Sequence, residues 1–239
     1  MVAANLGFLW KDEPVSSGIR AAMSAGYHGV ELHWRNVEDL PSVLASLEET
    51  GGFVASLNTN KADGFGLSAI PGREGASRAA IDQSLELARK LDCGVVHVTA
   101  GVASGDDARD AYESALLYAC ETADDGTIIG IEPISDQVAP GYYLNSFDLA
   151  EEVIDDLDQP NLAMIYDFYH AHLMGLDVLE GYKKHCEKIC SIQVCGLPSR
   201  GAPLSSEIDM MQHISDAGYD GVFGAEFHPD NSAWMDKLF

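Results

Sequence analysis

Apolar positions along this chain follow two alternating rhythms. Short dense runs at residues 3–9, 29–33, 53–58, 94–100, 127–131, 162–166, 189–194 and 222–227 have the length and composition of buried strands. Between them the spacing changes to three and four, which predicts helices over 15–25, 76–91, 106–123, 146–157, 177–186 and 207–217. Val15, Ile19, Ala22 and Met23 make one such stripe, and Ile81, Leu85, Ala88 and Leu91 make another. A further helix is expected to start at a cap on Asn36, with Asp39 three residues on, and to stop at Gly51-Gly52. Ser104 and Ser206 read as caps for two later helices. A short closing helix is expected over 232–238.

Eight strands alternating with helices close most simply as a single α/β domain over 1–239, a parallel eight-stranded (β/α)8 TIM barrel. A doubly wound open sheet is the alternative. Ala25-Gly26-Tyr27-His28-Gly29-Val30 echoes Ala217-Gly218-Tyr219-Asp220-Gly221-Val222, and each marks a helix end running into a strand. The stretch 59–75 is a long loop rich in Gly. Its Gly64-Phe65-Gly66-Leu67-Ser68-Ala69 fits a dinucleotide fingerprint only nominally, because Pro71-Gly72 follows where a helix would have to open.

Chemistry gathers at the strand ends. Ile128-Ile129-Gly130-Ile131 runs into Glu132 and is stopped by Pro133. The next three runs end in Asp167, Gln193 and Glu226. A charge at the end of a buried strand has to be paired, solvated or bound to a metal. In a barrel these four side chains would converge at the C-terminal mouth. Three carboxylates and one amide form an all-oxygen set suited to one divalent cation, Mg2+ or Mn2+, and poorly suited to Zn2+ because the set lacks thiolate and imidazole. Without an ion, at least one acid would stay protonated. A cation between two flanking carboxylates suits proton transfer beside a carbonyl, with Glu132 and Glu226 as the transfer pair and Asp167 and Gln193 holding the ion. Glu31, Asn58 and His97 end other strands. Asn58 and His97 are candidates for substrate contact, and Glu31 reads more readily as a brace. His170, three residues past Asp167, is better placed to join the site than His172.

Charge narrows the partners. Fourteen Lys and Arg stand against 38 Asp and Glu, a net of −24, which argues against nucleic acid or an anionic membrane. No apolar run is long enough to span a bilayer, and residues 1–6 lack a basic leader before Lys11-Asp12-Glu13. Five cysteines without a C-x-x-C pair fit a reduced, cytoplasmic protein.

The motifs, taken in order, resemble the hydroxypyruvate isomerase group of xylose isomerase-like barrels. The words are Gly29-Val30-Glu31, Ile70-Pro71-Gly72-Arg73-Glu74, Ile131-Glu132-Pro133-Ile134, Ala139-Pro140-Gly141-Tyr142-Tyr143-Leu144, Tyr166-Asp167-Phe168-Tyr169-His170, Ile192-Gln193-Val194, Ser199-Arg200-Gly201 and Gly224-Ala225-Glu226-Phe227-His228-Pro229. The resemblance implies a divalent-metal isomerase of a small hydroxy-keto acid or sugar. It also implies the same four ligands and the same Glu pair, with His170 and Arg200 on the substrate. Arg73 and Lys61 are further candidates for a carboxylate clamp. Ser135, Ser199, His228 and His97 depart from the group's usual residues, so the metal set matches more closely than the substrate shell. The same scaffold would serve a ketose 3-epimerase or a sugar-derivative dehydratase, and more remotely an endonuclease or a sugar-acid binding barrel without catalysis. A homo-oligomer is possible for such a barrel.

Overall fold

A computed structural model describes residues 1–33, 37, 39–59, 64–229 and 234. The elements run β1 (Val2–Asn5), α1 (Val15–Ser24), β2 (Gly29–Leu32), α2 (Leu40–Thr50), β3 (Phe53–Asn58), α3 (Glu74–Leu91), β4 (Val95–His97), α4 (Asp106–Thr122), β5 (Ile128–Ile131), α5 (Phe147–Leu157), β6 (Leu162–Asp167), α6 (Phe168–Leu173), α7 (Val178–His185), β7 (Ile189–Val194), α8 (Ser205–Asp216) and β8 (Phe223–Ala225). All eight strands are parallel. They pair in chain order, and β8 returns to β1, so the sheet is a closed barrel rather than an open doubly wound sheet. The register sets Asn5 beside Glu31, Asn58 beside His97 and Asp167 beside Gln193, which keeps the polar strand ends level with one another.

The core lies between strands and helices. Tyr112, Tyr142 and Tyr166 are buried in it, and each phenol finds a backbone partner: Tyr112 donates to the Val98 carbonyl at 3.0 Å, Tyr166 donates to the Val178 carbonyl at 2.9 Å, and Tyr142 accepts from the Ala100 N–H at 3.0 Å. A buried ring of this size is stabilising only because its hydroxyl is satisfied. The repeated helix-to-strand joints both materialise. Gly26 and Gly218 follow α1 and α8 with φ of 94° and 107°, a conformation that side chains resist. On the outside, scarce cations are shared: Arg109 reaches Glu113, Glu152 and Asp156 at 2.6, 2.7 and 2.6 Å. The buried His185 ties α7 to α5, with Nδ1 3.1 Å from Glu151 and Nε2 3.6 Å from Asp148.

Several boundaries differ from expectation. β1 ends at Asn5, because the Leu9 N–H turns back to the Asn5 carbonyl at 2.9 Å and starts a loop in place of more strand. Asp39, not Asn36, caps α2, accepting from the Ser42 N–H at 3.2 Å; Asn36 lies outside the described residues, as do Lys61 and most of 232–238. α4 starts after Gly105 with no side-chain cap. α8 starts one residue before Ser206, so Ser206 is inside the helix and not its cap; Glu207 instead accepts the Leu204 N–H at 2.9 Å and closes the first turn. α6 went unforeseen, since six residues of Phe168-Tyr169-His170-Ala171-His172-Leu173 are too few to show a period.

Candidate active site

Strand alternation builds the site. Residues two apart share a face, so the interior series pairs Glu31 with His33, Ser56 with Asn58, and Gly224 with Glu226. Asn5, Glu31, His33, Ser56, His97, Glu132, Asp167, His170, Gln193, Arg200 and Glu226 are all buried at this end of the barrel. Small residues leave the room: a side chain on Gly224 would overlap the Glu31 carboxylate, its Cβ falling 2.5 Å from Oε1.

Four arcs of contact join the ring. Arg200 Nη2 bridges Asp167 Oδ2, at 3.4 Å, and Glu226 Oε1. Its guanidinium lies between the rings of Phe8 and Tyr169, each centroid 4.6 Å away. His170 Nε2 is 3.5 Å from Asp167 and 3.6 Å from Glu132. Its Nδ1 accepts the Ser135 N–H at 3.2 Å, which leaves the ring proton on Nε2, facing the two acids. His97 Nδ1 is 3.4 Å from Glu132 Oε2. Asn5 Nδ2 donates to Glu226 Oε2 at 2.8 Å and to Glu31 Oε2 at 3.1 Å. Asp167 has two tasks: Oδ1 accepts the Tyr169 N–H at 2.7 Å and caps α6, while Oδ2 turns to Arg200 and His170.

Some polar atoms here are buried with no hydrogen-bond partner: Gln193 Oε1, both amide atoms of Asn58, both ring nitrogens of His97 and Arg200 Nε. Polar groups buried in that state cost free energy unless something else engages them.

Burial sets the protonation pattern. It pushes Glu31 up to about 7 and Glu226 up to about 8, the latter against the pull of Arg200; Glu132 is raised further by burial and then by Glu226 and Asp167. Burial lowers His33 to about 3, His170 to about 4 and His97 well below the usual imidazole range. The imidazoles are therefore neutral at physiological pH, while Glu132 and Glu226 retain protons in the cation-free protein. A carboxyl raised above its unfolded value contributes stability at low pH and loses it as pH rises through the folded value. Above pH 7 the unfolded histidines are neutral and no longer oppose that trend. Denaturant titration in EDTA is expected to show a loss on the order of 1 kcal/mol between pH 7 and pH 8. Constant stability over that interval would refute the pattern.

The structure brings Glu132, Asp167, Gln193, Glu226, His170, Arg200 and His97 into one buried group, and sets Asn58 beside His97 on the same level. Arg73 is exposed at the start of α3 and forms no ion pair or hydrogen bond with that group among the described residues. Sequence reasoning missed Asn5, His33 and Ser56. Counting two residues on from Glu31, or two back from Asn58, would have found His33 and Ser56. Imidazole is also richer here than the four strand ends suggest: His33, His97 and His170 each fall in a compact group with two acids or with an acid and a second imidazole. The objection to Zn2+ based on missing imidazole therefore loses force.

A level ring of buried acids and neutral imidazoles at the C-terminal mouth of a closed barrel is the layout of a (β/α)8 enzyme acting on a small polar substrate. Comparison narrows the class. Residues 19–238 match the family model described as "Xylose isomerase-like TIM barrel". A Drosophila melanogaster protein named "Putative hydroxypyruvate isomerase" is 31% identical over 99% of this chain and 97% of its own. A "2-oxo-tetronate isomerase" of Pectobacterium atrosepticum is 32% identical over 95% of this chain and 91% of its own. A crystal structure from Brucella melitensis described as "AP endonuclease, family 2" superposes with a TM-score of 0.91 at 25% identity, covering 99% of this chain and 98% of that one. The chain belongs to the xylose isomerase-like TIM barrel family, and within it lies beside the hydroxypyruvate and 2-oxo-tetronate isomerases. No helix among the described residues is long and apolar enough to cross a membrane.

Proposed function

We propose that this barrel, an isomerase by kinship, interconverts a small hydroxy-keto acid or sugar acid with its carbonyl isomer, of the hydroxypyruvate or 2-oxo-tetronate type, using one divalent cation. The single observation that carries the reading is the pairing of Glu132 and Glu226, both buried just past the ends of strands β5 and β8 and linked to one another through His170, Asp167 and Arg200.

The donor set fits a hard cation. Gln193 Oε1 is buried with no hydrogen-bond partner, Asp167 lies beside Gln193 in the sheet, and Asp167 is joined to Glu132 through His170 and to Glu226 through Arg200. Glu132, Asp167, Gln193 and Glu226 would hold the ion, and Mg2+ or Mn2+ matches their oxygen character. When bound, such a cation neutralises the acids and polarises the substrate carbonyl. The remaining work falls to side chains. One Glu takes the proton from the carbinol carbon beside the carbonyl, and the other delivers a proton to the former carbonyl carbon. The hydroxyl proton passes to the other oxygen, so the change is redox-neutral overall. His170 Nε2–H faces the carboxylates and is placed to donate to a substrate oxygen. Arg200 offers its unpartnered Nε–H to a substrate carboxylate. The abasic-site name of the Brucella structure is not carried over, because a net charge of −24 repels a polyanion.

The test is proton NMR with Mn2+ or Mg2+ and hydroxypyruvate in D2O, beside an EDTA control. Metal-dependent deuterium incorporation with an aldehyde hydrate as product supports the isomerase. Incorporation without that product points to a longer substrate or to epimerisation, and no exchange with any hydroxy-keto acid tried removes the proposal. For the clamp, Arg200→Ala is expected to raise KM for carboxylate substrates roughly 10- to 100-fold and for neutral sugars much less, the worth of a charge-assisted hydrogen bond. Equal effects on both would remove Arg200 from that role.

A further inference from the structure

An amide ligand has a weakness that a carboxylate lacks. Rotated by half a turn, it presents NH2 to a cation in place of oxygen. Something has to fix the Gln193 amide, and among the described residues its hydrogen bonds go to Glu31 and His33, outside the proposed ligand set. The restraint comes from below, through a network that begins at Glu31.

Gln193 Nε2 has two protons and two acceptors: Glu31 Oε2 at 3.3 Å and His33 Nδ1 at 3.1 Å. With Nδ1 accepting, the His33 proton sits on Nε2 and goes to Ser56 Oγ at 2.9 Å. The Ser56 hydroxyl then donates to Glu31 Oε1 at 3.1 Å. Asn5 is fixed independently: its Oδ1 accepts the Gly7 N–H at 2.9 Å, so Nδ2 has to fork between Glu31 Oε2 at 3.1 Å and Glu226 Oε2 at 2.8 Å. The network converges on Glu31, which accepts from Ser56, Gln193 and Asn5. A carboxylate there gives all three donors an acceptor. Gly224 leaves the space for it.

We propose that Glu31 is a positioning residue that turns the Gln193 amide so that Oε1 faces the cation, and that steers Glu226 through Asn5. The proposal rests on the reading of Gln193 as a cation ligand. Groups that orient metal ligands typically account for 10- to 100-fold in affinity.

The experiment is Mn2+ binding to metal-stripped protein, followed by calorimetry and by the Mn2+ EPR signal, without substrate. Glu31→Leu removes the acceptors that hold Ser56, Gln193 and Asn5. The Gln193 amide then loses one of its two anchors, so Mn2+ affinity is expected to fall 10- to 100-fold while circular dichroism stays native. In a Gln193→Glu background the ligand offers oxygen whichever way it turns, so the same Glu31→Leu change is expected to cost little there. A merely structural role for Glu31 would lower affinity equally in both backgrounds. Wild-type affinity in Glu31→Leu, or an equal loss in the Gln193→Glu background, would overturn the inference. A wild-type protein that takes up no Mn2+ would instead bring down the metal reading beneath it.

Discussion

Replacing Glu226 by Gln is expected to lower kcat by about a thousandfold, within the range that positioned acid–base groups supply, while leaving the fold in place. The carboxylate carries two duties in the proposed mechanism, a proton-transfer role and a cation contact, and the amide can fulfil the first not at all. The barrel itself does not need the charge. Burial holds Glu226 up to about 8, so ionisation there works against folding in the cation-free protein. The variant should therefore also lose part of the decline in stability between pH 7 and pH 8. The single-turnover rate, the substrate KM and a denaturation curve taken together decide the matter. Near wild-type turnover would end the two-glutamate mechanism.

Chelation is expected to have the second largest effect. EDTA should take activity to background, and Mg2+ or Mn2+ should restore it. The cation binds the folded site and not the unfolded chain, so a thousandfold excess over Kd adds about 4 kcal/mol of stability. For a chain of this length that corresponds to a rise in Tm of roughly 10 °C. The shift should be largest at alkaline pH, where Glu31, Glu132 and Glu226 would otherwise have to ionise against their burial and one another's charge. A Tm unaffected by EDTA or added cation would leave the four strand-end ligands without their ion.

Much of the barrel is written in local signals. Each buried strand is short, dense and apolar and alternates with helical stripes, so the count of eight is legible from period, while closure, against an open doubly wound sheet, is settled by the pairing of β8 with β1. The strand-end acids were legible for the same reason: Glu132, Asp167 and Glu226 interrupt apolar runs where a charge is otherwise costly. The rest depends on three-dimensional pairing. Asn5 sits in the first strand, and nothing near it in sequence announces that its amide will lie between Glu31 and Glu226. Arg200 comes from a loop, and its place between Phe8 and Tyr169 depends on the loop after β1 and the start of α6 arriving together. Asp167 looked like a ligand only, yet half of it caps a six-residue helix too short to show a rhythm.

The glycine at 224 has a consequence for anyone who would redesign this barrel. Its missing side chain and the acid at 31 occupy a single volume contributed by two strands that do not pair with one another. The two positions cannot be varied as independent letters of a library. Any side chain admitted at 224 evicts the acid first, and a smaller residue at 31 opens a void over 224 before it changes a single contact with substrate. A recombination scheme that splits the chain between β2 and β8 has to carry both positions from the same parent.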